Sequence, residues 1–173
     1  NRTLGVGDPA AARRALAMIV GRDTADLSES EVARATVETV AESVSDGVIA
    51  PLLYLAIGGA PLALAYKAVN TLDSMIGHRD ERYADFGWAS ARLDDLANWI
   101  PARLSAVLLL LSAGLMTQQL ERIRNGWRVL MRDGSLHPSP NSGRPEAAMA
   151  GILGIRLGGT NFYDGIAQDR PIL

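Results

Sequence analysis

The sequence contains no cysteine. That excludes disulfide frameworks, cysteine–zinc sites and thiol nucleophiles. Lysine is almost absent: Lys67 stands alone against sixteen arginines, so no neighbouring lysine can substitute for it. His78 and His137 are the only histidines. They lie too far apart in the chain to form a zinc site unaided, and no serine–histidine–acid order accompanies them. Aromatic residues make up only 5%, low for a core built on aromatic packing. The net charge of −2 offers no concentrated basic face, so nucleic acid is not an expected partner. Repeats and low-complexity tracts are missing, and nothing reads as a strand longer than four residues.

What is present reads as helix. Asp8-Pro9 starts a short helix that Gly21 stops, over 8–22. Ser28 and Glu31 have the spacing of a capping box and open a longer helix, whose apolar stripe is expected at Ala33, Val37, Val40, Val44 and Val48. Gly47 to Tyr66 is a run of twenty residues without a charge, long enough to cross a bilayer core of about 30 Å. Pro51, Gly58-Gly59 and Pro61 interrupt it. Three readings stay open for this run: a straight span, a re-entrant hairpin turning at Gly58-Gly59, and a buried hairpin of a soluble protein. A polar stretch, 67–99, follows; Pro101 is expected to end its last helix. Leu104 to Leu120 is a second uncharged run, with Trp99, Arg103, Arg122 and Trp127 placed to meet the interfaces. If 67–99 and 128–146 share one side, this second run must turn back. A Pro- and Gly-rich loop then leads from His137 into a last helix, expected over 146–157, with Pro145 at its first position. The expected fold is an all-α, polytopic helical membrane protein, one domain over 1–173, read as an internal fragment that lacks flanking apolar helices.

Four groups of residues are candidates for chemistry. Arg34, Glu38, Glu42 and Asp46 recur every four residues and share a helix face; the acids repel one another unless a cation lies between them, and a hard cation such as Mg²⁺ takes carboxylates and phosphate oxygens. Lys67, Asn70, Asp73, Ser74 and His78 form a dense polar run. Arg92, Asp94, Asp95 and Asn98 form a third group, with Asp94 and Asn98 one helical turn apart and Asp95 beside them. The loop from His137 to Glu146, with Asn141, Ser142, Gly143 and Arg144, leads into a helix N-terminus and makes a candidate anion site. General acid–base work would fall to a histidine or a carboxylate.

The stretches Glu31–Pro51, Lys67–His78, Tyr83–Pro101 and His137–Gly151 together resemble the cobalamin-biosynthesis family CobD/CbiB, adenosylcobinamide-phosphate synthase. The resemblance spans nearly the whole chain. It implies a multi-pass enzyme of the cytoplasmic membrane, its active site facing the cytoplasm, that joins adenosylcobyric acid to aminopropanol phosphate or aminopropanol as an amide, with ATP and Mg²⁺. Activation of a carboxylate by phosphoryl transfer needs acids for the metal and cations for phosphate. On that reading Glu38, Glu42, Asp46 and Asp94 are candidate metal ligands. Lys67, Asp73, His78 and Asp95 are candidate catalytic residues, and Arg92, Asn141, Ser142, Gly143 and Arg144 would bind the nucleotide. Membrane lipid is an expected partner, with a second copy of the chain or other cobalamin-assembly enzymes as further candidates. The other class considered, a non-catalytic membrane subunit or transporter for an anionic solute, should carry charges inside its spans; here they cluster beside them.

Overall fold

The structure, a computed structural model, describes residues 8–76 and 84–173; His78 and Arg79 lie outside them. Helix α1 (Pro9–Ala17) begins as expected, with the Asp8 carboxylate accepting the Ala11 N–H at 2.9 Å and Pro9 in the first turn. It stops at Ala17, short of residue 22. Beyond it, Asp23 donates its backbone N–H to Phe162 at 2.8 Å, a tertiary bond that a continuing helix would not allow. Helix α2 (Glu29–Ser43) carries the full capping box between Ser28 and Glu31.

The expected valine stripe of α2 is not its buried face. Val32, Ala35, Glu38 and Ala41 are buried, whereas Val40 is 47% and Val48 48% exposed. Val32 and Ala35 close against Ala12 and Leu16 of α1, and small residues admit that close approach. A π-helical turn, Val44–Ile49, follows. Pro51 explains a neighbouring contact. In i→i−5 bonding its N–H would reach the Asp46 carbonyl, but proline has none. The Tyr66 hydroxyl comes within 3.2 Å of that carbonyl instead.

Helix α3 (Ala50–Ile76) is two arms. Gly58 and Gly59 leave helical geometry, Gly59 at φ 66°. The Tyr54 and Tyr66 rings stack at 5.0 Å, although twelve residues of straight helix would separate them by about 18 Å. The run therefore turns back at Gly58-Gly59, as one of the three readings held. Helix α4 (Ala84–Ala97) ends just before Asn98. Pro101 does not end it; it sits in the first turn of α5 (Trp99–Thr117), where a missing N–H is harmless.

Gln118, in the left-handed conformation at φ 54°, reverses the chain into α6 (Leu120–Asp133). Ile123 packs over Gly114 and Leu110 over Gly126, so α5 and α6 run antiparallel. Helix α7 (Gly143–Leu153) completes this unit, and Ala106, Leu110, Ala113, Leu130, Ala148 and Ile152 form its core. It starts three residues before the expected point, which puts Pro145 in its third position. The Cα of Gly126 lies where a Gly151 side chain would begin, so these two glycines set the α6–α7 contact. Gly154 caps α7 at φ 67°.

The all-helical expectation needs a correction. Strands β1 (Gly159–Tyr163) and β2 (Ile166–Arg170) form an antiparallel hairpin, Gly159 paired with Arg170 and Tyr163 with Ile166. Asp164 and Gly165 turn it with φ of 51° and 76°. An Asp-Gly pair between two short extended runs is a strong hairpin signal. Two stretches, Glu29–Ile76 and Trp99–Thr117, are long and apolar enough to cross a membrane. With the first doubled back at Gly58-Gly59, they weakly suggest a membrane protein.

Candidate functional site

Two helical hairpins and one β-hairpin bring the polar segments to one place. A cleft of about 550 Å³ is lined by Glu42, Asp46, Asp73, Asp94 and Asp95, by His137, Ser139 and Ser142, and by Asp169 and Arg170 of β2. Five of the acids nominated from sequence therefore share one cavity. Asn141 ties its two sides together, donating from Nδ2 to the Asp95 carbonyl at 2.8 Å. That bond holds Asp95 and Asn141 at one end of the molecule; the run 104–120 does not turn back to allow this, because α5 is unbroken and α6 makes the return.

The four-residue repeat on α2 divides in function. Glu38 is buried and spent on structure: Oε2 pairs with Arg22 at 2.7 Å, and Oε1 accepts the Gly158 N–H at 2.7 Å. Arg22 also donates to Asn161 Oδ1 at 2.7 Å, and Arg34 to the same oxygen at 3.2 Å. Arg34 and Glu38 thus clamp the β-hairpin onto α2. With both oxygens engaged, Glu38 does not reach the cleft as a metal ligand. Gly158 is required there: its φ is +85°, and a Cβ would fall 2.0 Å from the Pro171 carbonyl oxygen. Only Glu42 and Asp46, further along, line the cleft. The Ser142 hydroxyl donates to Glu42 Oε1 at 3.2 Å.

A second chain of bonds orients the opposite wall. Lys67 Nζ donates to Asn70 Oδ1 at 3.0 Å, and Asn70 Nδ2 to Asp94 Oδ1 at 3.3 Å. Lys67 stands at the edge and reaches Asp94 only through Asn70. Tyr66 lies beneath, its hydroxyl 2.8 Å from Asn98 Oδ1. Burial raises the Asp95 carboxyl above the ordinary carboxylate range, and Arg92 partly offsets this. Arg92 itself is on the rim, its side chain 66% exposed and 3.7 Å from Asp95.

The loop after His137 is organised differently from an open anion cradle. The Asn141 and Ser142 N–H groups both donate to Ser139 Oγ at 3.3 Å, and the Ser139 N–H donates to His137 Nδ1 at 3.0 Å. The loop consumes its own donors. Ser142 faces the cleft; Asn141 and Gly143 are buried, and a Cβ on Gly143 would collide with His137. Arg144 is not brought to the cleft: it packs beside Gly134. The cation that does line the cleft is Arg170, which donates to Tyr163 at 3.1 Å and stands 3.3 Å from His137 Nε2. Since His137 Nδ1 already accepts, a neutral ring carries its proton on Nε2, facing a second donor. Burial, with Arg170 next, lowers the His137 pKa and keeps the ring neutral.

Sequence reasoning missed Arg170, Gln168 and Asp169, because it missed the strand that delivers them. It also missed Glu146 as a titrating group. Glu146 is 4% exposed, and burial, then Glu42 and Glu38, push its pKa up to about 8. Among the described residues, no three histidine, aspartate or glutamate side chains converge as a ready metal cage.

Comparison with known proteins follows the same residues. The family model described as CobD/Cbib protein matches residues 1–173. A relative named cobalamin biosynthesis protein CobD, from Geobacter metallireducens, is 64% identical over 167 residues, covering 96% of this chain and 52% of the relative. Proteins of the same name from Clostridium perfringens and Klebsiella pneumoniae are 52% and 55% identical, covering 99% and 98% of this chain and 54% and 52% of their own lengths. The chain thus spans about half the length of the curated relatives it matches. No solved structure matches it.

Proposed function

Because the chain belongs to the CobD/Cbib family, we propose that it forms part of a cobalamin-biosynthesis enzyme that makes an amide between adenosylcobyric acid and aminopropanol phosphate or aminopropanol, using ATP and Mg²⁺. The observation that carries the reading is the cleft: Glu42, Asp46, Asp73, Asp94 and Asp95 face one another across about 550 Å³.

The donor set fits Mg²⁺. Hard carboxylate oxygens suit it, and it is commonly held by one or two carboxylates together with phosphate oxygens and water. A cleft of acids in which no three-ligand cage closes among the described residues matches that mode better than a dedicated all-protein site. Glu42, Asp46 and Asp94 are the candidate ligands, and the metal would neutralise charge on transferring phosphate. Arg170 supplies a fork for an anionic oxygen. The part-buried Asp95, its pKa raised by burial, can accept the proton that the ammonium must lose to become the attacking amine. Lys67 positions Asp94 through Asn70.

The test uses the full-length protein. Glu42→Gln and Asp95→Asn remove charge with little change in shape. Each should lower Mg²⁺-dependent amide formation at least about a hundredfold, within the usual contribution of a positioned acid or base, while helicity by circular dichroism is unchanged. Near-normal turnover in both folded variants sinks the reading.

A further inference from the structure

On the face of the α5–α6 hairpin formed by α6, the apolar and cationic surfaces meet along one line. Val107, Leu111, Ile123 and Trp127 line an apolar pocket of about 650 Å³, closed at one side by Arg124 and Arg128. The same two arginines, with Arg122, line an adjoining polar groove of about 510 Å³ against the end of α7. Trp127 is 51% exposed, Leu111 57%, Leu120 56% and Met131 60%. No described residue covers them.

Charge selects among possible occupants. Arg122, Arg124 and Arg128 make no ion pair among the described residues, and the groove holds a single acid, Glu121. Arg124 and Arg128 are one turn apart, so two guanidinium forks project side by side. That pair matches a phosphodiester, whose oxygens accept bidentate bonds. Apart from those two arginines and the Trp127 indole, the pocket is lined by aliphatic side chains alone, which suit a hydrocarbon chain. A helix with arginines on one flank and Trp, Leu and Met on the next has the make-up of an interfacial membrane helix.

We propose that α6 binds an anionic phospholipid, its phosphate on Arg124 and Arg128 and an acyl chain in the pocket between α5 and α6. The site lies beside the middle of α5 and is separate from the acidic cleft. It does not depend on the amide-forming reading.

Native mass spectrometry of the full chain in neutral detergent, titrated with phosphatidylglycerol or phosphatidylcholine, tests the assignment. Phosphatidylglycerol should bind at least about tenfold more tightly, and the double change Arg124→Gln with Arg128→Gln should abolish that preference; about tenfold corresponds to one charge-assisted bond. A charge-matched control, Arg14→Gln with Arg156→Gln, should keep it; both of those residues are exposed. Leu111→Asn should weaken phosphatidylglycerol binding but leave weak glycerol 3-phosphate binding unchanged. Equal affinity for the two lipids overturns the proposal, as does equal loss in the control. Glycerol 3-phosphate binding as tightly as the lipid would make this a soluble-phosphate site and overturn the lipid assignment.

Discussion

The charges of this chain are divided between two regions with opposite uses. In the cleft, acids are gathered and held by neutral and cationic donors: Ser142 on Glu42, Asn70 on Asp94, Asn141 behind Asp95. On α6, Arg124 and Arg128 stand exposed beside an apolar pocket, with no ion-pair partner among the described residues. The acidic region is built from long-range contacts across α2, α3, α4 and β2. The basic region is one helix whose face follows from its own periodicity. An arginine therefore means different things in the two places, and the same substitution separates them.

Arg22→Gln is expected to have the largest effect on stability. It leaves Glu38 buried without its cation, with both side chains under 10% exposed. Breaking a buried pair at one partner costs about 3–5 kcal/mol. Arg128→Gln, the identical chemical change on an exposed residue, should alter stability by less than about 0.5 kcal/mol. Urea unfolding of both variants measures the contrast. Similar shifts would mean that the β-hairpin clamp is not a structural core of the cleft.

The legible parts of the sequence were local. The capping box at Ser28, the Asp8 start and the turn at Gly58-Gly59 each depend on residues a few positions apart, and their chemistry fixes them wherever they occur. The cleft acids were legible as residue types. Their partition was not: Glu38 and Glu42 are equivalent on a helical wheel, and only Arg22 and Gly158, distant in sequence, tell one from the other. The valine stripe misled because periodicity identifies a face without saying what covers it. Arg170 was invisible as a site residue because no strand was expected beyond the last helix, and β2 delivers it.

Glu146 gives the next effect, and its sign follows from linkage. The carboxyl ionises near 4.5 when unfolded and at about 8 in the fold, so between those values the native state holds more protons than the unfolded one. Stability should therefore be highest at the acid end of that window, fall as pH rises through it, and level off above 8. At about 1.4 kcal/mol for each pH unit the fall is at most a few kcal/mol. Glu146→Gln should flatten the profile, read as melting temperature against pH. An unchanged slope in the variant would place the titrating group elsewhere.

Arg92 has the smallest expected effect on stability and the sharpest division between stability and chemistry. It was a candidate nucleotide ligand from sequence, and it sits on the rim, 66% exposed and 3.7 Å from Asp95. An exposed pair at that distance contributes about 0–1 kcal/mol, so Arg92→Gln should leave unfolding almost unchanged. Its charge nonetheless opposes the effect of burial on Asp95. Removing it should let the Asp95 pKa rise further, because nothing then favours the ionised form against desolvation. Carboxyl NMR titration of Asp95 in both forms reads this directly, and the acid limb of the activity profile should move to higher pH with it. A titration that stays in place would show that Arg92 is too well solvated to influence the cleft. A large loss of activity with no movement of either pH profile would instead give Arg92 a contact with substrate.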